Sequence, residues 1–135
     1  MKNILKITFL LTLLFSFQSK AQLDTLNYLK QFEINKVNYI GQPFSKLLSD
    51  MTQIQPKTVW NKPPHNNKTI SLNTMFNFCN KNQSFYNTIT LDIIWENPLV
   101  YIDTKNLSIQ NDFYFTDAEK SFYGSKIIKD IIVYR

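Results

Sequence analysis

The stretch Tyr39-Ile40-Gly41-Gln42-Pro43-Phe44-Ser45-Lys46-Leu47-Leu48-Ser49-Asp50-Met51 decides how this chain folds. Phe44, Leu47, Leu48 and Met51 fall at i, i+3, i+4 and i+7, one face of a helix. Ser45, Lys46, Ser49 and Asp50 take the opposite side. Pro43 suits the first helical position, where its missing N–H costs nothing. Gly41 permits a sharp entry turn. A two-turn helix is marginal alone in water, so its stability must come from burying that stripe, at roughly 1.5–3 kcal/mol per large side chain. The apolar surface that could receive it lies downstream, in an aromatic-rich run of strands.

Upstream, Leu23, Leu26, Leu29 and Phe32 repeat at three-residue spacing, and Asp24 or Thr25 can cap the start. The spacing predicts a first helix over residues 22–36, paired with the second. Before it, residues 1–21 read as a cleaved signal peptide. Lys2 and Lys6 precede an apolar run at 7–17, and Ser19-Lys20-Ala21 sets small residues at −3 and −1 of a cleavage site. The run falls short of the roughly 20 apolar residues a membrane span requires. The expectation is a periplasmic or secreted protein that meets the membrane only through this segment before cleavage.

Loss of the leader changes the electrostatics. Lys2, Lys6 and Lys20 leave with it, taking 15 basic residues to 12 against 10 acidic ones, a net +2. The isoelectric point of 9.3 for the whole chain overstates the basicity of what remains. The remaining lysines are scattered and the only arginine is Arg135, so no nucleic-acid partner is expected. Residues 22–135 have the length of one domain. Cys79 is the sole cysteine and is read as a buried thiol.

Downstream, residues 57–60 form a possible short strand and 61–68 a polar loop with Pro63 and Pro64. Residues 69–79 alternate strictly, with Ile70, Leu72, Thr74, Phe76 and Phe78 on one side; residues 87–95 alternate again, with Ile89, Leu91, Ile93 and Trp95 together. A polar connection at 80–86 joins them as an antiparallel pair with one wet face. Glu96-Asn97-Pro98 reads as a turn, 99–103 as a third strand and 104–115 as a broken or bulged one. Thr116 and Glu119 make a capping box for a short helix over 116–123, with Gly124 as its exit. Residues 126–134 close the chain as a strand; isoleucines on both faces place it centrally in the sheet.

The sum is an α+β domain, with two N-terminal helices packed on one face of a four- to five-stranded, mostly antiparallel sheet. In outline this order resembles small exported α+β domains in which a helical pair covers an antiparallel sheet, such as the β-lactamase-inhibitor-like and outer-membrane-assembly-lipoprotein-like folds. A likeness at this level implies no activity.

Catalytic chemistry has little to work with. One histidine, His65, and one cysteine cannot supply the three or four ligands of a zinc site, so neither metal nor cofactor is expected. Glycine-rich phosphate loops and serine-hydrolase elbows are absent. Asp92, Glu96, Asp103, Asp112, Asp117 and Asp130 could in principle pair for glycoside hydrolysis, but their spacing selects no pair. The unusual feature is aromatic content: Phe9, Phe15 and Phe17 depart with the leader, leaving 17 of the 20 aromatics in a small domain. Trp60, His65, Phe85, Tyr86, Tyr114 and Tyr123 are therefore the candidate surface for a protein or saccharide partner, with Phe113 in the same aromatic group. A non-enzymatic binding module is the leading expectation; a small envelope hydrolase or a structural accessory in envelope assembly are the alternatives.

Overall fold

The computed structural model describes residues 23–135. The expected leader and the first residue after it lie outside the described residues. The fold is α+β, with four α-helices and a four-stranded antiparallel sheet: α1 (Thr25–Ile34), α2 (Phe44–Asp50), β1 (Thr58–Asn61), β2 (Ile70–Asn77), β3 (Thr90–Val100), α3 (Tyr101–Gln110), α4 (Asp117–Gly124) and β4 (Ile128–Tyr134). The strands lie in the order β1-β2-β3-β4, every neighbour antiparallel.

Local chemistry sets the helix boundaries. Asp24 caps α1 by accepting the Asn27 amide at 3.1 Å. Gly41 enters α2 at φ +77°, a conformation that favours glycine. Pro43 stands one position before the expected one, as the N-cap of α2. The capping box of α4 forms, with the Glu119 carboxylate accepting from the Thr116 backbone. Gly124 is the last residue of α4, before the cap at Ser125, and lies against α2, where a Cβ would make an ordinary 3.6 Å contact with the Cβ of Ser45. The main helical neighbour of α2 is thus α4, and α1 lies chiefly on β4, so the expected pairing of the first two helices with each other is not what forms.

One core holds the molecule together. Phe44 and Leu47 are completely buried and Leu48 nearly so. The Phe44 ring stacks on Phe76 of β2 at 4.7 Å and meets Trp95 of β3 edge-on at 5.6 Å. Val59, Phe76, Leu91, Ile93, Ile131 and Val133 join them from the sheet. A buried polar chain runs through this side. The Trp95 indole donates to Thr74 (2.9 Å), Thr74 to Asn61 (2.7 Å), and Asn61 to the Tyr123 hydroxyl (2.8 Å).

Four expectations are corrected. β4 is an edge strand, not a central one. Its isoleucine-rich edge is tolerated because other groups occupy its hydrogen-bonding positions. Gly41 donates to the Ile128 carbonyl (2.8 Å), Gln42 accepts from the Ile128 amide (3.0 Å), and the Glu33 carboxylate accepts from the Val133 amide (2.9 Å). The expected turn at Glu96-Asn97-Pro98 lies inside β3, where the pairing with β2 jumps from Ile94 to Leu99. The same irregularity turns Ser71 inward and leaves Leu72 exposed, reversing the expected alternation. Finally, the strands expected over 99–103 and 104–115 are largely the helix α3. It buries Thr104 and Ser108, an i, i+4 pair of small polar residues that no hydrophobic pattern reveals.

Candidate functional site

The opposite side of the sheet is different in kind. Its side chains fall in rows across the strands. Trp60, Met75, Asp92 and Ile132 form one row; Thr58, Asn77, Thr90 and Tyr134 form the next. The 61–69 loop borders one end of this face, and the 78–89 loop folds over the other. Ser84 anchors the second loop 3.2 Å from the Thr58 hydroxyl, which explains why Thr58, Asn77 and Thr90 are buried on an otherwise open face.

Between the loops lie two adjoining hollows. The larger, about 500 Å³, is lined by Trp60, Lys62, Met75, Asn77, Phe85 and Tyr134 among others. The smaller, about 420 Å³, is lined by Lys62, Pro63, Pro64, His65, Lys68 and Met75. Lys62 and Met75 line both, so the two adjoin across these side chains. Neither hollow has an aspartate or glutamate in its wall, and Arg135 joins the lining of the larger; Lys62 and Lys68 make no ion pair among the described residues. A third hollow of about 340 Å³ lies on the far side of the 78–89 loop and is lined by Tyr86, Cys79 and Thr88.

Of the six residues expected at a partner surface, Trp60 and Phe85 are brought into contact, with ring centroids 4.9 Å apart and planes at 63°. His65 borders the adjoining hollow. Tyr86 is 80 % exposed but faces the third hollow. Tyr114, 39 % exposed, follows the turn at Asp112 and Phe113, whose φ values are 51° and 64°. Tyr123 is fully buried and belongs to the core, where burial pushes its phenol up, with only partial relief from the Asn61 hydrogen bond. Phe113, named with the same aromatic group, stacks on Trp60 at 4.5 Å and 16°. Met75, Asn77 and Lys62 were not singled out. Their sequence signal was slight: Met75 and Asn77 sit on the side of β2 that alternation marks as wet.

Two polar features mark this face. The Trp60 indole nitrogen is shielded from water and has no hydrogen-bond partner, which normally costs about 1–3 kcal/mol. Asp92 is half-buried in the row beside Met75. Desolvation pushes its carboxyl above the usual range, although the Asn73 amide donates to it at 2.6 Å. Burial likewise raises the Tyr134 phenol, aided by the nearby Asp92 charge. Cys79 is half-buried, its sulfur 2.9 Å from the Thr88 hydroxyl.

The arrangement offers ring contact, amide and hydroxyl groups and positive charge. None of these three hollows, nor a further one of about 320 Å³ that holds Asp103 alone, is lined by two aspartate or glutamate side chains. Asp112 and Asp130 are engaged by Lys81 and Lys36. Among the described residues no three histidine, cysteine or carboxylate side chains cluster as metal ligands, and no helix is long and apolar enough to cross a membrane. The sequence matches no family model, and no curated protein or solved structure matches it.

Proposed function

We propose that this protein is a small exported, non-enzymatic binding module, periplasmic or secreted once residues 1–21 are removed. In this reading the two N-terminal helices roof the inner face of the sheet, and the outer face is the working surface for a protein or saccharide partner. The observation that carries it is the Trp60–Phe85 pair at a hollow of about 500 Å³ with no aspartate or glutamate in its lining, and an indole N–H that nothing among the described residues satisfies. Natural folds rarely leave such a donor unpaired without a reason in function.

The two sheet edges also bear on how a partner engages. The Glu33 and Gly41–Gln42 groups occupy the edge of β4. On the β1 edge, Val59 donates to the Phe113 carbonyl (2.9 Å) and Phe115 donates to the Lys57 carbonyl (2.8 Å). Both edges are thus covered in part, which favours docking through side chains on the open face over addition of a partner strand.

The test is binding to a printed saccharide array and to an extract of envelope proteins, comparing the wild type with Trp60→Ala and Ile109→Ala. Trp60→Ala abolishes binding, whereas Ile109→Ala, an exposed position on α3, leaves it intact. Equal binding by all three proteins overturns the proposal.

A further inference from the structure

The contacts of Trp60 suggest what the hollow takes. Phe113 stacks flat on the indole, whereas Phe85 abuts it at 63°. The two phenyl groups are not equally held. Phe113 is half-buried, whereas Phe85 is 73 % exposed, on a loop whose next turn needs Asn87 at φ 46°. Phe85 therefore gains little from its position and leaves it at small cost. A ring that replaced Phe85 on the indole and brought a hydrogen-bond acceptor would retain the aromatic contact. It would also give the Trp60 N–H the partner it lacks.

The charge of the walls narrows the choice. Lys62 lines both hollows, Lys68 the second and Arg135 the first; neither lysine has an ion partner among the described residues, and no aspartate or glutamate lines either space. Asp92, in the same row as Trp60 with Met75 between them, does not line either hollow and accepts a hydrogen bond from Asn73. The uncompensated charge is positive and calls for an anion. A peptide in extended form meets sheet edges that are already covered in part, so a ring-stacking ligand fits better than an acidic strand.

We infer that the hollow beside Trp60 is a subsite for a carboxylate-bearing sugar ring, with Phe85 as the placeholder that the sugar displaces. The inference rests on the proposal that the outer face binds, and adds to it the ligand class and the moving part.

The test uses purified protein and three probes: an oligogalacturonate, its neutral methyl ester and a poly-glutamate peptide. Affinity is read by calorimetry, and the two indole N–H signals by ¹⁵N-resolved NMR, with Trp60→Phe assigning them. The oligogalacturonate shifts the Trp60 signal and leaves that of Trp95, already bonded to Thr74, in place. Phe85→Ala tightens binding several-fold because the placeholder is gone. Lys62→Ala with Lys68→Ala weakens it roughly tenfold or more. Equal affinity for the methyl ester or for poly-glutamate overturns the acidic-sugar assignment, and weaker binding by Phe85→Ala overturns the placeholder. In each of those cases, loss of binding in Trp60→Ala still upholds the outer face as the binding surface. No binding of any probe, together with array binding that Trp60→Ala does not change, overturns both.

Discussion

The two tryptophans sit on opposite faces of one sheet, and their surroundings differ in every respect that matters. Trp95 is buried, packed against Phe44 and Tyr123, and its N–H is bonded to Thr74. Trp60 is half-buried, covered in part by a mostly exposed phenylalanine, and its N–H is bonded to nothing. The same side chain therefore reports two uses of the sheet. On the inner face Trp95 is both packed and hydrogen-bonded, as a core ring requires, and the unpaired buried group there is the small Ser108 hydroxyl of α3. On the outer face, ring surface and a donor remain in excess, as a binding surface requires.

The sharpest way to break this contrast is truncation on each face. Phe44→Ala removes a fully buried ring that touches both Phe76 and Trp95. It should cost about 3–5 kcal/mol, the range for a core aromatic. Trp60→Ala should cost about 1–2 kcal/mol, because part of its ring is already exposed. Urea unfolding of both variants at unchanged m measures the difference. Equal losses would mean that the outer face is a second core and that the contrast is mistaken.

A smaller effect is expected at the edge of β4. Glu33 lies on α1 with its carboxylate at the Val133 amide, 2.9 Å away, and Lys30 at its other oxygen, 2.6 Å away. Burial raises its carboxyl, but the hydrogen bonds from Lys30 and Val133 and the charges of Lys30 and Lys36 outweigh that and hold it below the usual range. Glu33→Ala removes the acceptor that covers the edge, at about 1–2 kcal/mol. It also leaves a strand rich in isoleucine open to pairing with another chain. Light scattering on warming should show earlier association for Glu33→Ala than for Glu33→Gln, which retains an acceptor. Identical behaviour of the two would mean that the carboxylate does not guard the edge.

This clasp also explains a limit of sequence reasoning. The isoleucines of residues 127–133 announce burial on both sides, and a central strand is the ordinary cause. The actual cause is a turn and a glutamate brought to the edge from residues 33–42, which no local pattern encodes. Helix α3 escaped notice for another reason: it buries Thr104 and Ser108, so its inward stripe is polar by composition. By contrast, α2 and α4 were legible because spacing and a capping box speak locally. The site divides in the same way. Surplus aromatics pointed to Trp60 and Phe85, but their meeting depends on how the 78–89 loop folds back. Tyr123 was misplaced on the surface although it lies four after Glu119, on the buried stripe of α4 that also carries Glu119.

The outer face contains one more group that behaves unlike a core residue, and it yields the smallest effect. Desolvation holds the Asp92 carboxyl above its ordinary value, with the Asn73 hydrogen bond acting in the opposite direction. A carboxyl raised on folding stabilises the fold fully below its unfolded pKa and loses that contribution as pH rises through the folded pKa. At neutral pH Asp92 is therefore a burden to the fold. Asp92→Asn keeps an oxygen that accepts from Asn73 and removes the buried charge. It should raise the melting temperature at pH 7 by a few degrees or less. The advantage should shrink as the pH falls and vanish near pH 3, below the ordinary carboxyl range of about 4. Asp130 gives the opposite sign: the Lys36 hydrogen bond depresses its carboxyl, so its contribution is present at neutral pH and lost on acidification. Melting curves of Asp92→Asn and Asp130→Asn across pH 3–7 should thus diverge in opposite directions from the wild type and converge at the acid end. A destabilised Asp92→Asn at neutral pH would show that the charge itself is needed on this face, and that desolvation does not govern Asp92.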